Sequence, residues 1–127
     1  MSSCVLDASA LLALINGESG SDIVSSQLPN AVMLSVNFGE VVAKLMDIGW
    51  TESKIRQALG ALEIDVISFD QELAYRAGLL RSQTKSIGVS FGDRACLALG
   101  GRLGVPVLTS DRDWARLKLN VVITVIR

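Results

Sequence analysis

The sequence predicts a three-layer α/β sandwich built around a five-stranded parallel sheet. Five short apolar segments alternate with stretches of helical period, and that strand–helix–strand repetition produces this class. The segments hold few polar residues, so they suit strands covered on both faces, which is the condition of a parallel sheet. Half of the 127 residues are apolar, enough for one core in a single domain spanning 1–127.

The first strand is CVLD (4–7), and a helix over 8–16 starts directly after Asp7. GESG (17–20) has the composition of a flexible loop and leads into a helix over 20–27. AVMLS (31–35) supplies the second strand. In the helix that follows, 36–48, Phe38, Val41, Val42, Leu45 and Met46 recur at helical spacing. DIGW and then TES provide a glycine stop and a new N-cap at Thr51 for a helix over 51–61. IDVIS (64–68), helices over 70–85 and 91–103, VPVLT (105–109) and VVITVI (121–126) complete the chain. No linker, internal repeat or low-complexity segment interrupts it.

No apolar run approaches the ~20 residues required to cross a bilayer. The amino terminus lacks the basic segment and apolar core of a secretory signal. The expectation is a soluble, cytoplasmic protein without membrane contact. Cys4 and Cys96 have apolar neighbours and no metal-ligand spacing, as buried free thiols do. Histidine is absent, which excludes histidine acid–base nucleases, Ser-His-Asp hydrolases and histidine-ligated zinc sites. Chemistry is left to carboxylates, hydroxyls, lysines, arginines or metal ions.

The net charge of −1 conceals a division: residues 1–75 hold three basic side chains against ten acidic ones, and residues 76–127 hold nine against three. The acids of the basic part, Asp93, Asp111 and Asp113, sit beside arginines in GDR and SDRDW, a placement that points to use. A chance imbalance on solvated helices is the plainer alternative.

Four acids occupy related places. Asp7 closes the first strand, Glu40 lies in the first turns after the second, Asp93 begins a helix and Asp111 follows the fourth strand. Ligands of open parallel sheets bind beyond the carboxyl ends of the strands, where these groups should project. Each acid also has a structural explanation. Asn37–Glu40, Ser90–Asp93 and Ser110–Asp113 have capping-box spacing, and Asp7 precedes a helix. Capping does not explain four repetitions at one sheet edge. If the carboxylates converge to ~5 Å, each pair repels by about 3 kcal/mol at an effective dielectric near 20, against roughly 1 kcal/mol gained per cap. A divalent cation removes that cost, and an all-oxygen donor set without His or Cys favours Mg²⁺ or Mn²⁺ over Zn²⁺. Such an ion suits phosphodiester hydrolysis, with the basic surface holding the polyanion.

VLDASALLA with Asp7, NFGEVVAKL with Glu40, GVSFGDRACLALG with Asp93 and VLTSDRDW with Asp111 together resemble a PIN-domain ribonuclease of the VapC toxin type. The likeness covers essentially the whole chain, in order. It implies a five-stranded parallel sheet between helices and endoribonuclease activity dependent on Mg²⁺ or Mn²⁺. It also implies a homodimer and inhibition by a cognate antitoxin. Asp7, Asp93 and Asp111 would be the principal metal carboxylates, and Glu40 would complete the acidic site directly or through water. The hydroxyl of Thr109 or Ser110 would support the site, with Ser9 a further candidate. Asp113 could be an extra ligand, a capping acid or a partner for a neighbouring arginine. Arg94 and Arg112, each next to a proposed ligand, are candidates for phosphate contact or for pairing with nearby acids.

Arg81 and Lys85 lie one helical turn apart and could extend a nucleic-acid track. The mean hydropathy of +0.43 is high for a small monomer, so partner surfaces are expected. The helices over 36–61, with Phe38, Met46 and Trp50, are candidates for dimer or antitoxin contact, or for plain core packing. Two other functions compete. An aspartate-based Mg²⁺-dependent phosphotransfer protein would want a second aspartate two residues after Asp7, where Ser9 stands, or an acid ending the third strand, where Ser68 stands. A non-catalytic RNA- or peptide-binding module would keep the fold and use the basic face alone.

Overall fold

The computed structural model describes residues 2–127. Strands β1 (Cys4–Leu6), β2 (Ala31–Leu34), β3 (Asp65–Ile67), β4 (Val107–Thr109) and β5 (Ile123–Val125) form one parallel sheet in the order β3-β2-β1-β4-β5. The chain builds outward from β1 to β3 and then returns to β4 on the other side of β1. The strand order therefore reverses between β1 and β4, and a crevice opens beyond their carboxyl ends.

Among the described residues, seven helices cover the sheet: α1 (Ala8–Asn16), α2 (Ser21–Gln27), α3 (Ser35–Asp47), α4 (Glu52–Leu62), α5 (Gln71–Leu79), α6 (Arg81–Thr84) and α7 (Phe91–Leu103), with 3-10 turns at Leu28–Asn30 and Arg112–Arg116. Strand alternation divides the core in two. Cys4, Leu6 and Met33 point to a layer with Leu11, Val24, Val41, Leu45, Ile55 and Leu59 from α1 to α4. Val5, Val32 and Leu34 point to the opposite layer, with Leu73 and Ala77 of α5 and Leu97 and Leu99 of α7. Residues 94–100 of α7 are buried throughout, because this helix lies between the sheet and α5. Truncating Leu6 or Leu97 to alanine would cost about 2–5 kcal/mol in such a core. Both cysteines are buried and free. Among the described residues, no helix is long and apolar enough to cross a membrane.

Some expectations change. The helix expected over 70–85 breaks at Leu80 into α5 and the single turn α6, within the run RSQTKS, whose polar residues favour local side-chain bonds. Thr84, for example, donates its hydroxyl to the Leu80 carbonyl at 2.9 Å. The strand expected over 105–109 starts at Val107, since the Val105 N–H closes α7 on the Gly100 carbonyl and Pro106 has no N–H to give. β3 is an edge strand with Asp65 and Val66 exposed, so it is not covered on both faces. The GESG stretch is pinned at both ends. Gly17 caps α1 in the left-handed region, and Gly20, at φ 94, packs so closely on Ile126 that no side chain would fit.

Candidate active site

Asp7 follows β1 and caps α1. Its Oδ1 accepts the Ala10 N–H at 2.8 Å and the Ser9 hydroxyl at 2.7 Å. The residue is 4% exposed. Burial pushes its carboxyl up to about 6, against the downward pull of the Thr109 and Ser9 hydroxyls and the Ala10 N–H, and the nearby Asp93 charge adds to the rise. A buried acid held this way marks a place where negative charge lacks compensation.

The ends of β1 and β4 are tied together by hydroxyls. Ser9 Oγ accepts the Ser110 N–H at 2.9 Å and lies 3.3 Å from Thr109 Oγ1, which in turn accepts the Asp111 N–H at 3.1 Å. Ser9 and the buried Thr109 thus set the spacing between the loops that carry Asp7 and Asp111. Ser110 takes part through its backbone, its carbonyl accepting Arg127 Nε at 2.8 Å.

Glu40 projects from the second turn of α3. Asn37 Nδ2 donates to Glu40 Oε1 at 2.9 Å and to the Gly92 carbonyl at 3.0 Å, fixing the carboxylate and fastening α3 to the start of α7. Asn37 is therefore not the cap expected from its spacing, because α3 begins earlier, at Ser35. Gly92 makes room: a Cβ there would stand 2.7 Å from Glu40 Oε2. Asp93 forms the expected capping box with Ser90, its Oδ2 accepting the Ser90 N–H at 3.1 Å while Ser90 Oγ accepts the Asp93 N–H at 3.1 Å. At the fourth position the cap is Asp111 rather than Ser110. Its Oδ1 accepts the Asp113 N–H at 2.9 Å, opening the 3-10 turn over the buried Trp114.

Asp7, Glu40, Asp93 and Asp111 all line one cleft of about 210 Å³, together with Ser9, Lys44 and Trp114. Capping and lining are compatible. Each acid commits one oxygen to an anchoring N–H or amide, and the other oxygen of Glu40, Asp93 and Asp111 takes no hydrogen bond from any described residue. An all-carboxylate donor set of this kind matches a hard divalent cation such as Mg²⁺ or Mn²⁺. The four acids share the cleft without meeting at a point: among the described residues, no three acidic or thiol side chains stand close enough to hold one ion as placed.

Other sequence candidates lie elsewhere. Arg94 is 8% exposed and turned away from the cleft: its guanidinium lies 5.3 Å over the Phe91 ring and donates to the Ala77 carbonyl at 3.4 Å. Burial against α5 takes it out of reach of a phosphate. Asp113 is exposed and pairs with Arg116 at 3.4 Å, so it is a surface partner and not a cleft acid. Arg112, on the same turn, is exposed and does not line the cleft. Arg81 and Lys85 are exposed at the two ends of the α6 turn, away from the acids. Sequence reasoning missed Lys44 and the bridging role of Asn37. The available signal was spacing, since residues three before and four after Glu40 share its helix face.

A second concavity, of about 620 Å³, lies between α3 and α4 and is lined by Phe38, Val42, Met46, Ile55 and Leu59. Glu52 and Arg56, paired at 2.8 Å, stand at its edge. Phe38 and Met46 thus line a groove, whereas Trp50 packs against the core and carries Lys54 at 4.0 Å over its ring.

The PIN domain family model matches residues 4–119. A comparison with curated proteins finds no match. Among solved structures, the chain is similar to a chain of DNA-bound VapBC from Salmonella typhimurium, at 18% identity and TM-score 0.76 over 98% of each chain. It is also similar to a chain of a toxin-antitoxin complex from Klebsiella pneumoniae, at 19% identity and TM-score 0.74 over 95% of this chain and 100% of that one. VapBC-1 from nontypeable Haemophilus influenzae matches at 16% identity and TM-score 0.73, over 95% of this chain and 96% of that one. These likenesses concern the fold, and the five-stranded parallel sheet between helices agrees with the family match. With all but its ends covered by that model, the chain belongs to the PIN domain family.

Proposed function

We propose that this chain is a single-domain, metal-dependent endoribonuclease that acts in the cytoplasm as the toxin of a VapC-type toxin-antitoxin pair. The observation that carries this is that Asp7, Glu40, Asp93 and Asp111 line one cleft at the switch point of the sheet. Asp7, Asp93 and Asp111 would hold Mg²⁺ or Mn²⁺, with Glu40 completing the set. When bound, the ion lowers the pKa of an attacking water and offsets charge on the leaving oxygen. The chain's own residues do the positioning. Ser9 and Thr109 fix the separation of the Asp7 and Asp111 loops, and Asn37 orients the Glu40 carboxylate, which accepts a proton from water in the cleft. No histidine is needed for that step.

The α3–α4 groove is the docking place we assign to an antitoxin segment. Its apolar lining suits the apolar face of an amphipathic helix, and the Glu52–Arg56 edge gives such a helix polar contacts. A homodimer fits the exposed stripe of Tyr75 and Leu79, one turn apart on α5 at 62% and 74% exposure.

The test is RNA cleavage by the purified protein with Mn²⁺ or Mg²⁺, with EDTA and Asp7→Ala as controls. Cleavage that requires the ion and disappears in Asp7→Ala is expected. Cleavage surviving in the variant would point to a contaminating nuclease and withdraw the site assignment. Expression of the chain alone should arrest growth, and co-expression of the antitoxin should restore it.

A further inference from the structure

We infer that Lys44 is the phosphate-binding residue of the acidic cleft; this rests on the nuclease function proposed above and adds a substrate contact to it. Lys44 is the one cation among the described residues lining the cleft with Asp7, Glu40, Asp93 and Asp111. It lies one turn beyond Glu40 on α3, so both side chains leave the same helix face. That face is fixed in place, because Asn37 bonds both Glu40 Oε1 and the Gly92 carbonyl of α7.

Two further observations give Lys44 this role and not that of a counter-ion to the acids. Lys44 forms no ion pair with any carboxylate among the described residues, although four share its cleft. The arginines next to the acids do not supply the contact instead. Arg94 is held on the Ala77 carbonyl and over Phe91, and Arg112 stands outside the lining. A polyanion entering a pocket walled by carboxylates is repelled, and a cation among them offsets part of that repulsion. An ammonium on a flexible stem, exposed at the mouth, meets a phosphate oxygen as a point charge without needing a set angle. The predicted ligand is the backbone of single-stranded RNA, held by one non-bridging oxygen at or beside the scissile phosphate.

The test is the salt dependence of RNA binding, read by fluorescence anisotropy with a short fluorescein-labelled single-stranded RNA of mixed sequence and Mn²⁺ present. Both arms carry Asp111→Asn to suppress turnover. Loss of one phosphate contact should reduce the slope of log K against log salt by about 0.7 and weaken binding about tenfold at low salt. Lys44→Ala should show both effects and Lys44→Arg neither, while Lys54→Ala, over Trp50 and away from the cleft, should match the parent. In the otherwise native chain, Lys44→Ala should raise KM more than it lowers kcat. An unchanged slope in Lys44→Ala, with RNA cleavage by the native chain intact, overturns the inference and leaves the nuclease function standing. A native chain that neither cleaves nor binds RNA removes that function, and the inference with it.

Discussion

The acidic cleft and the apolar groove are both built on α3, and they differ in almost every other respect. Glu40 and Lys44 line the cleft with the buried Asn37 bracing Glu40 from behind, Val41 and Leu45 enter the core, and Phe38, Val42 and Met46 face the groove. The cleft is small and charged and is closed by a network of caps and hydroxyls that fixes each carboxylate by one oxygen. The groove is about three times larger and has few polar groups beyond the Glu52–Arg56 pair. Cleft function should therefore depend on charge, and groove function on apolar area.

The sharpest way to separate the two is to remove one acid. Asp93→Ala should lower RNA cleavage by about 10³-fold, the scale of several kcal/mol of lost charge stabilisation, while leaving antitoxin capture unchanged in a pull-down. The converse substitution is Met46→Asp, at an exposed position of the groove. A charge placed among Phe38, Val42, Ile55 and Leu59 should weaken antitoxin binding by about 2 kcal/mol or more, with cleavage retained. If Met46→Asp abolished cleavage and spared capture, the division of α3 into two functional stripes would be wrong.

Stability gives a comparison of similar size. Asp7 carries a folded pKa of about 6 against an ordinary value of 3.8. The folded state therefore keeps a proton that the unfolded state has lost between those values, and stability falls as pH rises through that window. Asp7→Asn, which keeps an acceptor for the Ala10 N–H, should stabilise the protein in EDTA at neutral pH by on the order of 3 kcal/mol. The gain should shrink to nothing below about pH 4. Urea titrations at several pH values measure this directly. No comparable dependence is expected of an apolar truncation in the groove such as Val42→Ala, which neither adds nor removes a titratable group.

The smallest effect concerns fit. Gly92→Ala places a methyl against the Glu40 carboxylate, whose flexible end can move aside. Cleavage should fall about tenfold with thermal stability unchanged or slightly raised, as expected for alanine in place of glycine within a helix. A variant with full activity would mean that the Glu40 position held by Asn37 is not the one used.

Much of the fold was legible in the sequence because its signals are periodic. The central strands β1 and β2, which enter both cores, are apolar throughout, and the Thr51 cap and the Gly49 stop act locally. That Asp7, Glu40, Asp93 and Asp111 line one cleft was legible because topology places the ends of parallel strands, and the helix starts that follow them, at one edge. Direction was not legible. Adjacency to an acid suggested Arg94 as a phosphate contact, but α7 is buried nearly all round, and position 94 faces α5. Asn37 looked like a cap because its spacing from Glu40 is that of a capping box, and only the early start of α3 at Ser35 turns that spacing into a bridge to α7. Lys44 was hidden by averaging, as one basic residue in an acidic half of the chain.

The claim on which the rest depends is that these carboxylates take up a divalent cation together. Mn²⁺ binding to the purified chain, followed by the loss of its free-ion electron paramagnetic resonance signal, tests it most directly. Stoichiometric uptake that is lost in Asp7→Asn and in Asp93→Asn, and unaffected by Met46→Asp, is the predicted result. Uptake that persists in both acid variants, or no uptake by the native chain, would contradict it.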